Sequence, residues 1–448
     1  MGWRDRLSSR GVRDGLTVWI IVLLTSGQGF RYLGGLPLYT VVCVLTIAAI
    51  ALSFRPTWAS VRLPLPLGAF VGLAAASVLW SATRAVTSLA VIVMIATTFV
   101  GVVTVRGTGN RRFMVLLYRG FQISLLLGIA LELWAAIVVR GPVYPPMHDL
   151  TSLTHDKNVS GDTITWSDGL LFHGGPIQGW VGNRNPFGLV ALLTAITGVI
   201  VLLERLVGRV DVVATLIAAG AVHLLTMSAT VTVTALYLFG ITLAAFWIRR
   251  APPGGKKAIS RVVLALSAIA AVLTIKYRDE IFGLVDRGSD LTNRTEIWKQ
   301  VIQAAELRPE GWGYVGYWPV WEEPYKGMAD RAGVLATHAH NAFLDAWLQL
   351  GLVGLALLVA IVVLMFGASW RLVERADKGD TYIPLGWTLL TVALVLQSLT
   401  ESRMLVEGGW FLVVVLYLSA PQVFRLTLVD ESLVHRGTPG RTDADELR

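Results

Sequence analysis

Two histidines and an asparagine stand in Thr337-His338-Ala339-His340-Asn341-Ala342-Phe343, where a polar loop runs into an apolar helix. Imidazole exchanges a proton near neutral pH, so His340, with His338 beside it, is a candidate base. Thr337 is expected to cap the helix, which puts His340 and Asn341 in its first turn, among unpaired backbone N–H groups at the positive end of the helix dipole. Such a place holds an anion, and the same potential disfavours an imidazolium. The chemistry expected is a neutral base beside a phosphate site. A second helix is expected to start at Asn293, with Glu296 at capping-box spacing. Arg294 then lies in a first turn against the dipole, a position that an anionic partner explains better than helix stability does.

These residues need elements to hold them, and the composition says of what kind. The chain has 448 residues, of which 54% are hydrophobic and 15% charged, and its mean hydropathy is +0.62. That excludes an ordinary soluble domain and predicts an all-α integral membrane protein. The single cysteine, Cys43, lies in an apolar run, so neither a disulfide framework nor a cysteine metal site is expected. The net charge of +8 is distributed over short loops rather than gathered in one aromatic-laced patch, which speaks for topology and against nucleic acid as a partner.

Apolar runs predict about twelve transmembrane helices, including 15–30, 65–82, 121–139, 187–204, 343–367, 382–399 and 409–424. With both termini cytoplasmic, the inner loops collect Arg55, Arg62, Arg106, Arg111, Arg112, Arg205, Arg209, Arg249 through Arg261, Arg371, Arg375 and Lys378. The short outer loops hold only Arg31, Arg84 and Arg403, so the positive-inside rule supports this orientation. The expected organisation is a cytoplasmic N-terminus (1–14), N-terminal transmembrane helices (15–139) and an extracytoplasmic loop (140–186). Middle transmembrane helices (187–276) and a large extracytoplasmic loop carrying site residues (277–340) follow. C-terminal transmembrane helices (341–424) and a disordered cytoplasmic tail (425–448) end the chain. Both long loops fall outside, and the chemistry is expected there, with short interfacial helices.

His340-Asn341 followed after nine residues by Gly351-Leu352-Val353-Gly354 resembles the signature of the O-antigen ligase and O-antigen polymerase superfamily of polytopic membrane glycosyltransferases. Arg294 and Trp298, then Pro309, Gly311 and Gly313 ahead of the His-Asn helix, resemble the same pattern. So do Gly182-Asn183-Arg184-Asn185-Pro186-Phe187-Gly188 and the turn Glu401-Ser402-Arg403. The resemblance covers roughly residues 180 to 415. It implies a metal-independent enzyme without cofactors that moves a glycan from an undecaprenyl-diphosphate-linked donor to a hydroxyl of a glycan or lipid-glycan acceptor, on the outer side of the cytoplasmic membrane. His340 would be the catalytic base, and Arg294, Arg184 and Arg403 would bind the diphosphate. Asn341, His338, Asn185 and Glu401 would bind or orient substrate. One departure stands out: many relatives carry an arginine just after the serine corresponding to Ser228, whereas Ala229 follows here.

Each residue also has a plainer reading. His338 fits a solvated loop, Arg184 a snorkelling interface residue and Arg294 a lipid-facing arginine. Glu401 and Arg403 could pair with each other. Glu132, an intramembrane carboxylate, is a functional candidate by position, while His223 fits interhelical packing. Trp312, Tyr314, Tyr317, Trp318 and Trp321 could stack on sugars or form an interfacial belt. The competing function is a transporter or flippase of a lipid-linked or anionic solute, which calls for polar residues and broken helices at mid-membrane depth. A metal-dependent oligosaccharyltransferase calls for acidic residues in the first outer loop, and Arg31 to Pro37 has none.

Overall fold

The computed structural model describes residues 8–60, 63–147, 165–276, 290–328 and 336–434. In chain order the helices are α1 Arg10–Thr25, α2 Gly27–Ser53, α3 Leu65–Ala76, α4 Arg84–Thr108, α5 Asn110–Trp134, α6 Arg184–Leu203 and α7 Arg209–Thr226. Then come α8 Ala229–Ile248, α9 Pro253–Lys276, α10 Asp290–Glu306, α11 Ala342–Arg375, α12 Ile383–Ser398 and α13 Glu407–Val434. Among the described residues the only strand-like pairing is an isolated bridge between Val143 and Ser167. The class is all-α.

Among the described residues seven helices are long and apolar enough to cross a membrane: α2, α4, α5 with its continuation to Val139, α6, α7, α8 and α11. Three apolar stretches expected to span are shorter, at Leu65–Leu79, Ile383–Ser398 and Glu407–Ala420. An α-helix of 16 residues such as α12 rises only about 24 Å, less than the hydrocarbon core of about 30 Å. Several boundaries differ from those expected. α5 begins at Asn110 rather than near 121, because Gly109 in a left-handed conformation (φ 77°) breaks the chain there. α10 begins at Asp290, ahead of the capping box expected at Asn293, so Arg294 is one turn inside the helix. Much of the expected loop at 277–340, the middle of the loop at 140–186 and the end of the tail lie outside the described residues.

Chain reversals gather the helix termini at two ends of the molecule. At one end Arg112 pairs with Asp14, Arg111 with Glu204 and Lys256 with Asp377. Arg249 donates to the Asp380 and Thr381 carbonyls beside them. At the other end Arg31 pairs with Glu407, and Arg294 with Glu401. None of these pairs joins a residue that loop counting assigns to one face with a residue that it assigns to the other.

Glu132 belongs to the scaffold. It is fully buried near the end of α5, and its carboxylate accepts from Ser167 Oγ (2.8 Å), Gln178 N (2.9 Å) and Gly179 N (2.7 Å). Three donors satisfy the charge, and together they fix the segment that leads into α6. His223 lies between α7 and α8, with Nε2 3.4 Å from Thr232 Oγ1, as interhelical packing requires.

α11 is broken at Gly351 (φ 66°), which frees carbonyls of the preceding turn. Trp312 N donates to Leu348 O (3.0 Å) and Gly313 N to Gln349 O (2.9 Å), while Leu352 N donates to Pro309 O (3.3 Å). This explains the spacing of Pro309, Gly311 and Gly313. A Cβ on Gly311 would meet the Gln349 carbonyl at 2.5 Å, and one on Gly351 would overlap the Pro309 carbonyl. Gly351→Ala is therefore expected to destabilise the fold by at least about 2 kcal/mol, from the left-handed backbone and the overlap together. A thermal unfolding series of the purified protein in detergent checks this; an unchanged midpoint would refute the contact.

Candidate active site

Asn341, not Thr337, caps α11. Its Oδ1 accepts from Phe343 N (3.0 Å) and Leu344 N (3.2 Å), its Nδ2 donates to Leu399 O (3.3 Å), and its own N–H donates to Ser402 Oγ (3.2 Å). The side chain expected to touch substrate is thus occupied by the cap. Thr337 instead offers its carbonyl to Trp318 N (2.9 Å). His340 consequently stands just ahead of the helix, in a left-handed conformation (φ 49°). For a histidine that backbone costs about 1–2 kcal/mol, a strain that the surrounding contacts must hold.

A buried carboxylate and its partners supply those contacts. Asp345, in the first turn of α11, is fully buried; it accepts from Trp318 Nε1 (2.8 Å), Gln349 Nε2 (2.8 Å) and Ala339 N (3.3 Å). Ser402 hydrogen-bonds it as well, so one carboxylate ties the backbone between the two histidines to the turn that carries Glu401. Gln349 Oε1 continues the network to Val315 N (2.8 Å) and Gly316 N (3.1 Å). Trp298 Nε1 on α10 donates to Ala339 O (2.9 Å), which explains a tryptophan one turn after Arg294. Asp345 and Gln349 escaped the sequence reading, although a carboxylate inside an apolar helix is the signal that flagged Glu132.

Glu401 is the centre. Arg294 Nη2 lies 3.3 Å from its Oε1, and His340 Nδ1 3.6 Å and His338 Nε2 4.0 Å from its Oε2. The imidazole rings sit 4.0 Å apart, and His340 N donates to His338 Nδ1 (3.1 Å). That bond makes His338 Nδ1 an acceptor, so a neutral His338 carries its proton on Nε2, facing Glu401. Burial, followed by the nearby His340, pushes the His338 imidazole down to about 3, despite the opposing pull of Glu401. For Glu401, burial acts upward, but the nearby His340 imidazole, with His338 and Arg294, holds it down to about 2. At neutral pH the carboxylate is therefore charged and His338 neutral.

His338 is largely buried rather than solvated. Glu401 pairs with Arg294 and not with Arg403, so the anionic partner that Arg294 called for lies within the chain. Arg403 is exposed and has no ion pair among the described residues; it lines clefts on both sides of its turn. Arg184 opens α6, capped by Asn183 Oδ1 accepting from Asn185 N (2.9 Å), two residues ahead of Pro186 in the wall of the cleft that Glu401 lines. Asn185 Oδ1 accepts from Ser228 Oγ (2.8 Å), a cross-tie between α6 and the start of α8. Among the aromatics Tyr314 and Trp318 are buried core, whereas Tyr317 and Trp321 are partly exposed.

The ligand atoms of His338, His340 and Glu401 lie within 4.8 Å of one another, a spacing that could hold a divalent cation. Arg294 against the same carboxylate makes the place electrostatically poor for one. The donor set suits proton transfer next to an anion better.

Residues 214–359 match the family model for O-antigen ligase. The exopolysaccharide production protein ExoQ of Rhizobium meliloti is 32% identical over 262 residues, which cover 53% of this chain and 59% of that protein. The O-antigen ligase of Pseudomonas aeruginosa is 28% identical over 179 residues, 39% of this chain and 40% of that protein. The matched stretches thus span less than two thirds of either relative. The family model includes Arg294, His338, His340 and Asn341, while Arg184, Glu401 and Arg403 lie outside it. By its helices the chain is an integral membrane protein, and its residues 214–359 are similar to the O-antigen ligase family.

Proposed function

We propose that the protein is a membrane glycosyltransferase of cell-surface polysaccharide biosynthesis. It transfers a glycan from an undecaprenyl-diphosphate-linked donor to an acceptor hydroxyl and requires no metal. The observation that supports this most is Glu401 facing His340 Nδ1, with Arg294 on its other oxygen and Arg403 lining the same cleft as Glu401. With Nδ1–H toward the carboxylate, His340 Nε2 is the basic nitrogen. It takes the proton of the acceptor hydroxyl as that oxygen bonds to the anomeric carbon. The bond from that carbon to the diphosphate breaks, its electron pair leaves on the diphosphate oxygen, and Arg403 and Arg294 offset the growing charge. Glu401 holds the imidazole in place and stabilises it once protonated, the part a triad carboxylate plays.

The proposed setting is the cytoplasmic membrane, crossed about twelve times, with both termini inside and the site outside. Basic residues clustered at the end opposite His340 favour this orientation. A strain lacking the protein, complemented with the normal chain, tests the reading. Lipid-linked glycan should accumulate in the deletion strain and the mature polymer or conjugate should vanish, the missing product telling ligation from polymerisation. A donor trapped on the cytoplasmic face would favour a transporter instead. For the purified protein, transfer is expected to persist in excess EDTA; its loss, restored by a divalent cation, would overturn the metal-free reading.

A further inference from the structure

The turn that carries Glu401 and Arg403 runs on as 3₁₀ helix over Arg403–Leu405 and enters α13 at Glu407. It is folded tightly on itself. Val406 N donates to Arg403 O (3.2 Å) and Gly409 N to Val406 O (3.1 Å), and a Cβ on Gly409 would overlap the Arg403 carbonyl. A shift at the start of α13 is therefore passed on to Arg403. The histidine loop holds the turn at its start, where Asn341 N donates to Ser402 Oγ (3.2 Å), and the strip ahead of that loop holds its middle, where Tyr314 Oη donates to Leu405 O (2.6 Å). The far end is held by another part of the chain, the corner between α1 and α2.

Two contacts make that hold. Gly408 lies against the Leu24 carbonyl, which a Cβ there would meet at 2.6 Å, and Glu407 pairs with Arg31. Arg31 belongs to the short outer piece of α2 that Gly35 (φ 74°) sets off from the span. Its Nη1 donates to Gln28 Oε1 (3.2 Å), its guanidinium lies 4.7 Å over the Tyr39 ring, and it hydrogen-bonds Tyr317, which stands beside His338 and Arg403. The pair is costly for what it adds to the fold. Glu407 sits in a left-handed conformation (φ 45°), unfavourable for a glutamate, as His340 does across the site. The two side chains are only 19% and 23% exposed, and Arg31 Nε is buried with no hydrogen-bond partner among the described residues. A desolvated ion pair gives little net stability, and backbone strain persists where the surroundings over-determine it, as they do at functional sites.

Resting on the transferase reading above, we propose that Arg31 and Glu407 are positioning residues: their pair locks the start of α13 against the α1–α2 corner and so fixes where Arg403 stands relative to His340. Neither side chain meets the reacting atoms. The histidines and Arg403 are thereby set by two separate braces, the Asp345 network for the first and the Arg31–Glu407 lock for the second, with Tyr317 tied to both through its backbone neighbour Gly316 and its own hydroxyl.

Transfer by the full chain in proteoliposomes, with lipid-linked glycan and acceptor extracted from the deletion strain, tests this. Arg31→Gln is expected to lower kcat about tenfold at constant acceptor KM, with the thermal midpoint within a few degrees of the wild type. Arg31→Lys, which still offers Glu407 a charge, is expected to fall only about threefold. The decisive comparison is in an Arg403→Lys background, where Arg31→Gln is expected to lower kcat by less than about twofold, because no guanidinium is left to aim. Losses that multiply in that background, or a midpoint that falls in step with kcat, overturn the proposal and leave the pair a role in the fold alone. If Arg31→Gln does not accumulate, Glu407→Gln, which keeps the shape and a hydrogen bond to Arg31, carries the same comparison. A wild type that transfers glycan and variants that match it would remove the positioning role and spare the transferase reading. A wild type that transfers nothing removes both.

Discussion

His340→Ala is expected to lower the transfer rate by about 10²- to 10⁴-fold, the contribution of a positioned general base. The loss should appear in kcat rather than in the donor KM, because the imidazole meets the hydroxyl proton and not the carrier. Membrane accumulation should match that of the normal chain. His340 is half-exposed and is not part of the Asp345 network, so its removal leaves the Trp318 and Gln349 hydrogen bonds in place. His340 also occupies a left-handed backbone position, where alanine is no better suited, so His340→Asn is the better-folded companion. Product in either variant at near-normal rate would remove His340 from the chemistry.

Glu401→Gln is expected to cost about 10²-fold or more in kcat while preserving the shape of the turn. The amide cannot hold His340 in the reactive tautomer with the same bias or stabilise its protonated form, and Arg294 loses its countercharge. A freed guanidinium beside an anionic carrier should strengthen donor binding, so donor KM falls as kcat falls. That opposite movement separates Glu401 from a residue that only packs. Equal losses in kcat/KM with falling thermal stability would mean that the carboxylate serves the fold alone.

The helices were legible because a membrane imposes long apolar runs, and every run expected to span holds a helix. Helix lengths were less so. Gly109 and Gly351 end or break helices through left-handed backbone, and hydropathy does not register that. Within the site the histidines announced themselves, and so did Arg294, although the helix that it was expected to open starts one turn earlier, at Asp290. Its partner Glu401 lies 107 residues away in sequence, and that pairing depends on how α10 packs beside the turn between α12 and α13, which local pattern does not encode. Asn341 deceived by proximity: beside His340 it resembles a catalytic group, but its geometry is that of a cap.

The break at Gly351 has a mechanical consequence. Above it, residues 342–350 exchange hydrogen bonds with the 309–316 strip and with Trp318; below it, α11 continues as an apolar span to Arg375. The short upper piece therefore travels with the loop that carries the histidines, and the lower piece travels with the bilayer. Along α11, a tilt of the lower span caused by changes in membrane thickness or lateral tension reaches His340 through one glycine joint, where the break in the helix weakens the transmission.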